Sequence, residues 1–457
     1  MRRLACVLPL LLCACALGPD YRRPKVEPPA VFRGGSLAEA ASMADQPWWA
    51  VFADPALKDL IATSLQNNFD VRSAAWRVEE FRARAGVARS GYLPEITPSA
   101  FFERGRLSGY EPGGGVTGNI FGVQAALSWE VDLWGRVRRL NEAAKAAYLG
   151  SQEARRGVLL STEAEVASAY FQLRLLDQRL EIARATVAAF GATRDLFAQR
   201  LAGGAASALE TARAEAALAQ AEATIPALER QIHAQENLLS FLAGLPAGPV
   251  RRGLELGTQA LPPAIPAGLP ARLLERRPDI ALAEQNLVAA NAQVGVAIAN
   301  YFPTLSLGAV LGGISAHRSD LFSTGKEWLV EPTLTGPSFQ GLRTKYQKEA
   351  ALAQWQQAKV HYQATVEAAF AEVSNGLVAY QKLAEAEVHQ VRAAEQLREA
   401  VRLANLRYAA GLSSYLEVLD AQEALFPAEN AAAQARLDRL LTMVQLYKAL
   451  GGGWKLK

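Results

Sequence analysis

Hydrophobic positions along the chain recur with two periods, and the change from one to the other lays out the architecture. Leu57, Leu60, Ile61 and Leu65 recur at helical spacing after Asp54-Pro55, a cap followed by a first-turn proline. A second helix is expected from about Val71 to Ser90, ended by Tyr92 to Pro94. The period then falls to two: Phe121, Val123, Ala125, Leu127, Trp129 and Val131 alternate with Gly122, Gln124, Ala126, Ser128 and Glu130. Such alternation predicts a strand with one apolar and one wetter face. Strands are expected at about 94–106 and 119–132, joined by a Gly-rich loop, and again at about 303–315 and 327–335.

After each strand pair the helical period returns with few breaks. Val137 to Leu201 contains no proline, and as one helix it would run roughly 95 Å at 1.5 Å per residue. Ser207 to Leu242 leads back, and Thr344 to Tyr408 and Tyr415 to Leu450 repeat the arrangement, with Pro427 expected to interrupt the last helix. Helices this long point to a rod or coiled-coil assembly.

Two turns share one chemistry. Arg407, Gly411, Ser414, Leu416 and Glu417 match Arg200, Gly204, Ser207, Leu209 and Glu210 at a constant offset of 207 residues. Each glycine can end a helix in the left-handed conformation, and each Ser with the Glu three residues on predicts a capping box. Asp70 to Pro94 and Asp279 to Pro303 align at offset 209, so the chain is an internal duplication. The organisation expected is a leader over 1–14, an arm over 15–53, a first repeat over 54–244, a linker over 245–270, a second repeat over 271–451 and a tail over 452–457.

Composition changes the picture mainly at the N-terminus. All three cysteines, Cys6, Cys13 and Cys15, lie in the first fifteen residues. Arg2-Arg3 precedes an apolar run from Leu4, and Leu12 to Cys15 has the order of a bacterial lipobox, with Cys15 the residue expected to be acylated. No uncharged apolar run reaches the length of a membrane-spanning helix. A formal net charge of +3 gives no reason to expect a nucleic-acid partner. The four histidines are scattered, and no metal-ligand spacing, phosphate loop or nucleophile elbow occurs, so neither a metal, another cofactor nor an enzyme is expected.

Four strands cannot close a barrel, and open sheet edges in lipid leave backbone groups unpaired. Two readings are open at this point. Two chains would give eight strands and three chains twelve, enough for a channel; alternatively, the strands form a small soluble sandwich.

The runs Cys15 to Pro24, Trp48-Trp49, Asp54-Pro55, Leu127 to Arg136, Arg276 to Asp279, Arg407 to Gln422 and Tyr447 to Trp454 resemble the outer membrane factors of tripartite efflux systems, the TolC-like family. The resemblance is to the acylated, NodT-type branch that works with resistance-nodulation-division pumps, and it covers most of residues 12 to 454. It implies an α+β membrane protein: a homotrimer with a twelve-stranded outer membrane β-barrel continuous with a periplasmic α-helical barrel. The partners it implies are a periplasmic adaptor, or membrane fusion protein, an inner membrane resistance-nodulation-division pump and outer membrane lipid.

The resemblance also implies residue roles. Phe121, Val123, Leu127 and Trp129 would face lipid. Leu416 and Asp420 would narrow the periplasmic mouth, while Arg407 and Tyr408 tie neighbouring helices there. Gly204, Ser207, Gly411 and Ser414 would dock the adaptor. Glu423 departs from the basic residue expected beside the gate, which makes the mouth more acidic. A type I secretion duct, a non-conducting periplasmic coiled-coil scaffold and an envelope enzyme are the other function classes weighed; the missing catalytic constellation argues against the last.

Overall fold

The computed structural model describes residues 16–35, 41–107, 116–204, 207–336 and 341–452. Cys15 and the loop Gly113 to Gly115 lie outside them. The order of the main elements is α1 (Pro55–Asn67), α2 (Phe69–Ser90), β1 (Glu95–Leu107), β2 (Val116–Val131), α3 (Arg136–Ala202), α4 (Ala208–Leu242), α5 (Pro278–Ala299), β3 (Thr304–Ser315), β4 (Lys326–Thr335), α6 (Arg343–Ala409) and α7 (Tyr415–Ala449). The duplication carries into the boundaries. Helix ends move from 136 to 343, 202 to 409, 208 to 415 and 242 to 449, each by 207 residues. The two 22-residue helices α2 and α5 are offset by 209 at both ends.

The chain forms two compact units. Of the described residues, one unit comprises those within 16–25, 77–152 and 282–363, and the other those within 26–76, 153–281 and 364–452. The first unit holds a single antiparallel sheet in the order β1-β2-β3-β4. Its register aligns the period-two pattern across all four strands. Ile96 lies opposite Leu127, and Phe102 opposite Phe121. Trp129 lies opposite Leu307, and Leu127 opposite Ala309. Leu311 lies opposite Trp328, Ala309 opposite Val330 and Leu305 opposite Leu334. Directly opposed residues share a face, so one face of the sheet is apolar from Ile96 to Phe102, Phe121 to Val131, Leu305 to Leu311 and Trp328 to Leu334, with Arg104, Asn119 and Lys326 beyond that band. On the other face Glu95 meets Ser128, Gly312 meets Glu327 and Gly308 meets Glu331.

The second unit is helical, and its largest fully buried side chains include Leu57, Ile61, Tyr170, Phe171, Leu173 and Leu239. Asp54 is fully buried at its centre. Oδ1 accepts the backbone N–H of Ala56 at 2.9 Å and of Leu57 at 3.3 Å, the expected cap of α1. Oδ2 accepts the Tyr170 hydroxyl at 2.9 Å, the Leu254 N–H at 2.8 Å and Gln259 Nε2 at 2.8 Å. One carboxylate therefore starts a helix and fixes the linker, whose own structure is limited to a 3-10 turn at Leu256–Thr258, a bridge from Ala267 to Ser42 and the start of a second 3-10 turn at Pro270. Burial pushes the Tyr170 hydroxyl well above its usual pKa, reinforced by the Asp54 carboxylate.

The linker is pinned on both sides. Arg252 pairs with Asp177 at 3.2 Å and with Glu236, and Arg174 reaches Leu254 O at 3.0 Å. Arg436 and Arg439 each lie 3.0 Å from Glu387 while donating to Gln259 O and Pro262 O. A Pro/Gly-rich segment without regular structure is thereby held by side chains of α3, α4, α6 and α7.

One expectation is corrected. Pro427 does not interrupt the last helix, because α7 runs through it, as α4 runs through Pro226. Each ring is itself exposed, and packing on either side of it holds the helix together despite the missing N–H.

Candidate gate at the helical hairpin tips

Both hairpins end in a glycine that the turn requires. Gly204 and Gly411 each have φ +71°, with open space where a Cβ would stand, so the need for glycine is conformational and not steric. Gly411 N bonds Tyr408 O at 3.0 Å and Leu412 N bonds Arg407 O at 2.9 Å, the paired bonds of a Schellman ending.

The two caps then diverge. Ser207 forms the full capping box: Glu210 N–H donates to its hydroxyl at 3.3 Å, and its own N–H donates to the Glu210 carboxylate at 2.9 Å. Ser414 occupies the cap position with extended backbone, but its side chain makes no cap bond, so the second capping box expected from the sequence is not formed. Its acidic member is taken elsewhere, since Glu417 lies 3.3 Å from Arg407 Nε. A charge-assisted pair across the turn replaces a local cap.

Below the turns, ten buried residues pack the two hairpins together, among them Phe190, Phe197, Leu218, Tyr415, Val418 and Leu419, with Tyr408 against their edge. Tyr415 meets Phe197 edge-on at 4.5 Å and Tyr408 at 5.3 Å. Its hydroxyl lies 2.6 Å from Thr193 Oγ1, and burial raises its pKa above the usual tyrosine value. Arg200, the counterpart of Arg407, hydrogen-bonds the Tyr408 hydroxyl and stands over the Tyr408 ring at 4.8 Å.

The four residues expected at the mouth therefore separate. Arg407 and Tyr408 tie helices to one another. Leu416 and Asp420, four apart on α7, share its exposed face, and Leu416 is 48% exposed. Glu423 continues that face. Sequence reasoning missed Arg200, Thr193 and Tyr415. The constant offset did carry a signal for Arg200, by pairing it with Arg407, whereas Tyr415 corresponds to Ala208 and had none.

On the sheet, the other expected residues Phe121, Val123, Leu127 and Trp129 all lie on the apolar face. That face carries exposed Ile96, Phe102, Leu311, Trp328, Val330 and Leu334, the last four at 56–77%. An apolar surface of this extent marks an interaction site or a membrane contact. Both outer edges, of β1 and of β4, lack a partner strand among the described residues. Among the described residues no helix is long and apolar enough to cross a membrane, and no cluster of metal-ligating side chains occurs.

A profile of the outer membrane efflux protein family matches residues 60–245 and 269–452, one match to each repeat. The probable efflux pump outer membrane protein TtgC of Pseudomonas putida is 35% identical, over 98% of this chain and 94% of that protein. The antibiotic efflux pump outer membrane protein ArpC of the same species has the same identity and coverage. Among solved structures, the outer-membrane channel OprN superposes with a TM-score of 0.89 at 31% identity, covering 96% of this chain and all of that one. The open-state MtrE channel of Neisseria gonorrhoeae gives 0.87 at 32%, covering 96% and 98%. With both repeats matched and relatives aligned almost end to end, the chain belongs to the outer membrane efflux protein family, as a non-enzymatic outer membrane channel that extends into the periplasm.

Proposed function

We propose that three copies of the chain form the exit duct of a tripartite efflux system. The observation that carries this is the sheet: one apolar face across four strands, ended by two edges that only further strands can satisfy. Three sheets joined β1 to β4 give a twelve-stranded barrel with Phe121, Val123, Leu127 and Trp129 toward lipid. The strands hold 13, 16, 12 and 10 residues, enough to cross a bilayer at the usual tilt.

In this reading the hairpin tips face the periplasm. Leu416 and Asp420 narrow the mouth, and the turns at Gly204, Ser207, Gly411 and Ser414 dock the hairpin of a periplasmic adaptor. A resistance-nodulation-division pump supplies the cargo. Antibiotics and apolar solvents are the cargo classes we assign, since relatives at 35% identity are named for antibiotic and toluene efflux. Cys15, behind a leader over 1–14, receives lipid that supplements the barrel's own hold on the membrane.

Purified full-length protein tests the assembly. Its mass in detergent corresponds to three chains, and it conducts when inserted into planar bilayers. A monomer or dimer, or a trimer that does not conduct, overturns the reading. For the lipid site, Cys15→Ser abolishes palmitate labelling; label retained there and lost on Cys13→Ser reassigns it.

A further inference from the structure

The two helices that return from the tips, α4 and α7, share an irregularity that α3 and α6 lack. Each carries one interior proline, Pro226 and Pro427. Each proline leaves the carbonyl four residues before it, Glu222 or Glu423, without its helical N–H donor. Local side chains engage the adjacent backbone as well, Thr224 Oγ1 to Ala221 O at 2.7 Å and Asn430 Nδ2 to Phe426 O at 2.8 Å.

The packing thins at the same level. In α4 the buried residues run to Ala221 and resume at Ile232; in α7 they run to Leu419 and resume at Ala433. Between those limits no residue of either helix is buried. A shallow, open depression lies there, lined by Ala223, Ala227 and Leu228 from α4 and by Phe426, Pro427 and Ala431 from α7.

Both sides of this zone are firm. Toward the turns lies the apolar cluster around Tyr415 and Phe197. Away from them Arg179 holds Gln434 at 2.8 Å, Gln434 holds Asp438 at 2.7 Å, and Glu387 clamps Arg436 and Arg439. A helix bends where hydrogen bonds are missing and buried contacts are few.

We infer that Pro226 and Pro427 are the hinge residues of the duct. They position the gate: the tip block swings as a unit while α4 and α7 flex at the prolines, the open depression beside Pro427 leaves the bend unobstructed, and the network at Glu387 stays fixed. The inference rests on the reading of Leu416 and Asp420 as the constriction, and its test separates the two.

The test uses the full-length protein with Pro226→Ala and Pro427→Ala together, substitutions that favour helix. Amide exchange in 222–231 and 420–432 slows about tenfold or more, on the order of the penalty a proline imposes inside a helix, and exchange elsewhere is unchanged. Spontaneous openings in planar bilayers become rarer by a similar factor. Glycine at both positions restores fast exchange and openings, which a purely structural role for the rings would not allow. Exchange unchanged in the alanine variant overturns the hinge wherever the gate lies. Slowed exchange with unaltered openings also overturns it, provided that Leu416→Ala with Asp420→Ala raises conductance. If that pair is inert, slowed exchange still upholds the hinge, and only the site of the constriction is lost.

Discussion

Arg200 and Tyr408, 208 positions apart, join the ends of the two outgoing helices through a hydrogen bond to the hydroxyl and a guanidinium 4.8 Å above the ring. The link has two separable parts. Tyr408→Phe keeps the ring and loses the bond, whereas Arg200→Ala loses both. An exposed cation–π contact contributes about 0.5–1 kcal/mol, and the exposed hydrogen bond adds about as much. Arg200→Ala should therefore speed amide exchange at the two turns by roughly tenfold, and Tyr408→Phe by less. Equal effects of the two substitutions would show that the ring contact contributes nothing.

The same region shows what the sequence could reveal. The turns at Gly204 and Gly411 were legible because the left-handed conformation admits few residues, and the repeat confirmed each from the other. The sheet was legible because alternation over the eleven residues from Phe121 to Val131 fixes the faces. The missing box at Ser414 was not, because its competitor is Arg407, on the other side of the turn. Asp54 was readable as a cap but not as the holder of Leu254 and Gln259, some 200 positions away. Local chemistry is written in neighbouring residues, and long-range partners for the same atoms are not. Leu416 and Asp420 became candidates through family resemblance, since an exposed Leu–Asp pair on one helix has no signature of its own.

Glu163 makes stability depend on pH. It lies on α3, and burial pushes its carboxyl up to about 7. The folded chain thus holds a proton that the unfolded chain has released between pH 4.5 and 7. Stability is unpenalised below that window, falls as pH rises through it, and stays lower above it, by on the order of 2–3 kcal/mol. Glu163→Gln removes this component. The check is the thermal midpoint in detergent at pH 5 and pH 8, where the parent should lose more than the variant on going to pH 8. Identical losses would mean that Glu163 ionises freely in the fold.

The two sheet faces should answer differently to charge. Val123→Lys or Val330→Lys places an ammonium on the apolar face and costs about 2–4 kcal/mol if the residue lies near mid-membrane. Ser128→Lys, on the opposite face, should be tolerated. The amount of heat-resistant trimer in outer membrane fractions reads this out. Equal losses for Val330→Lys and Ser128→Lys would sink the barrel orientation.

The gate prediction follows from the division of labour at the second tip. Tyr415, Val418 and Leu419 turn into the packed cluster and hold α7 in place, whereas Leu416 and Asp420 lie on its free face. Around a threefold axis, three leucines would form an apolar constriction that dewets, and three aspartates a ring that favours cations. Replacing Leu416 and Asp420 by alanine leaves the cluster intact, so the closed helices keep their packing while the narrowest point widens. Single-channel conductance should rise by on the order of a doubling, with weaker cation selectivity. Cells carrying the variant should admit larger antibiotics such as vancomycin. Glu181→Ala, an exposed position on α3, is the control; Asp177 on the same helix would not serve, because it holds Arg174 at 2.6 Å and Arg252 at 3.2 Å. If the double variant conducts like the parent, the constriction lies elsewhere. A rise in conductance with cation selectivity unchanged would assign the narrowing to Leu416 alone and leave Asp420 a solvated charge.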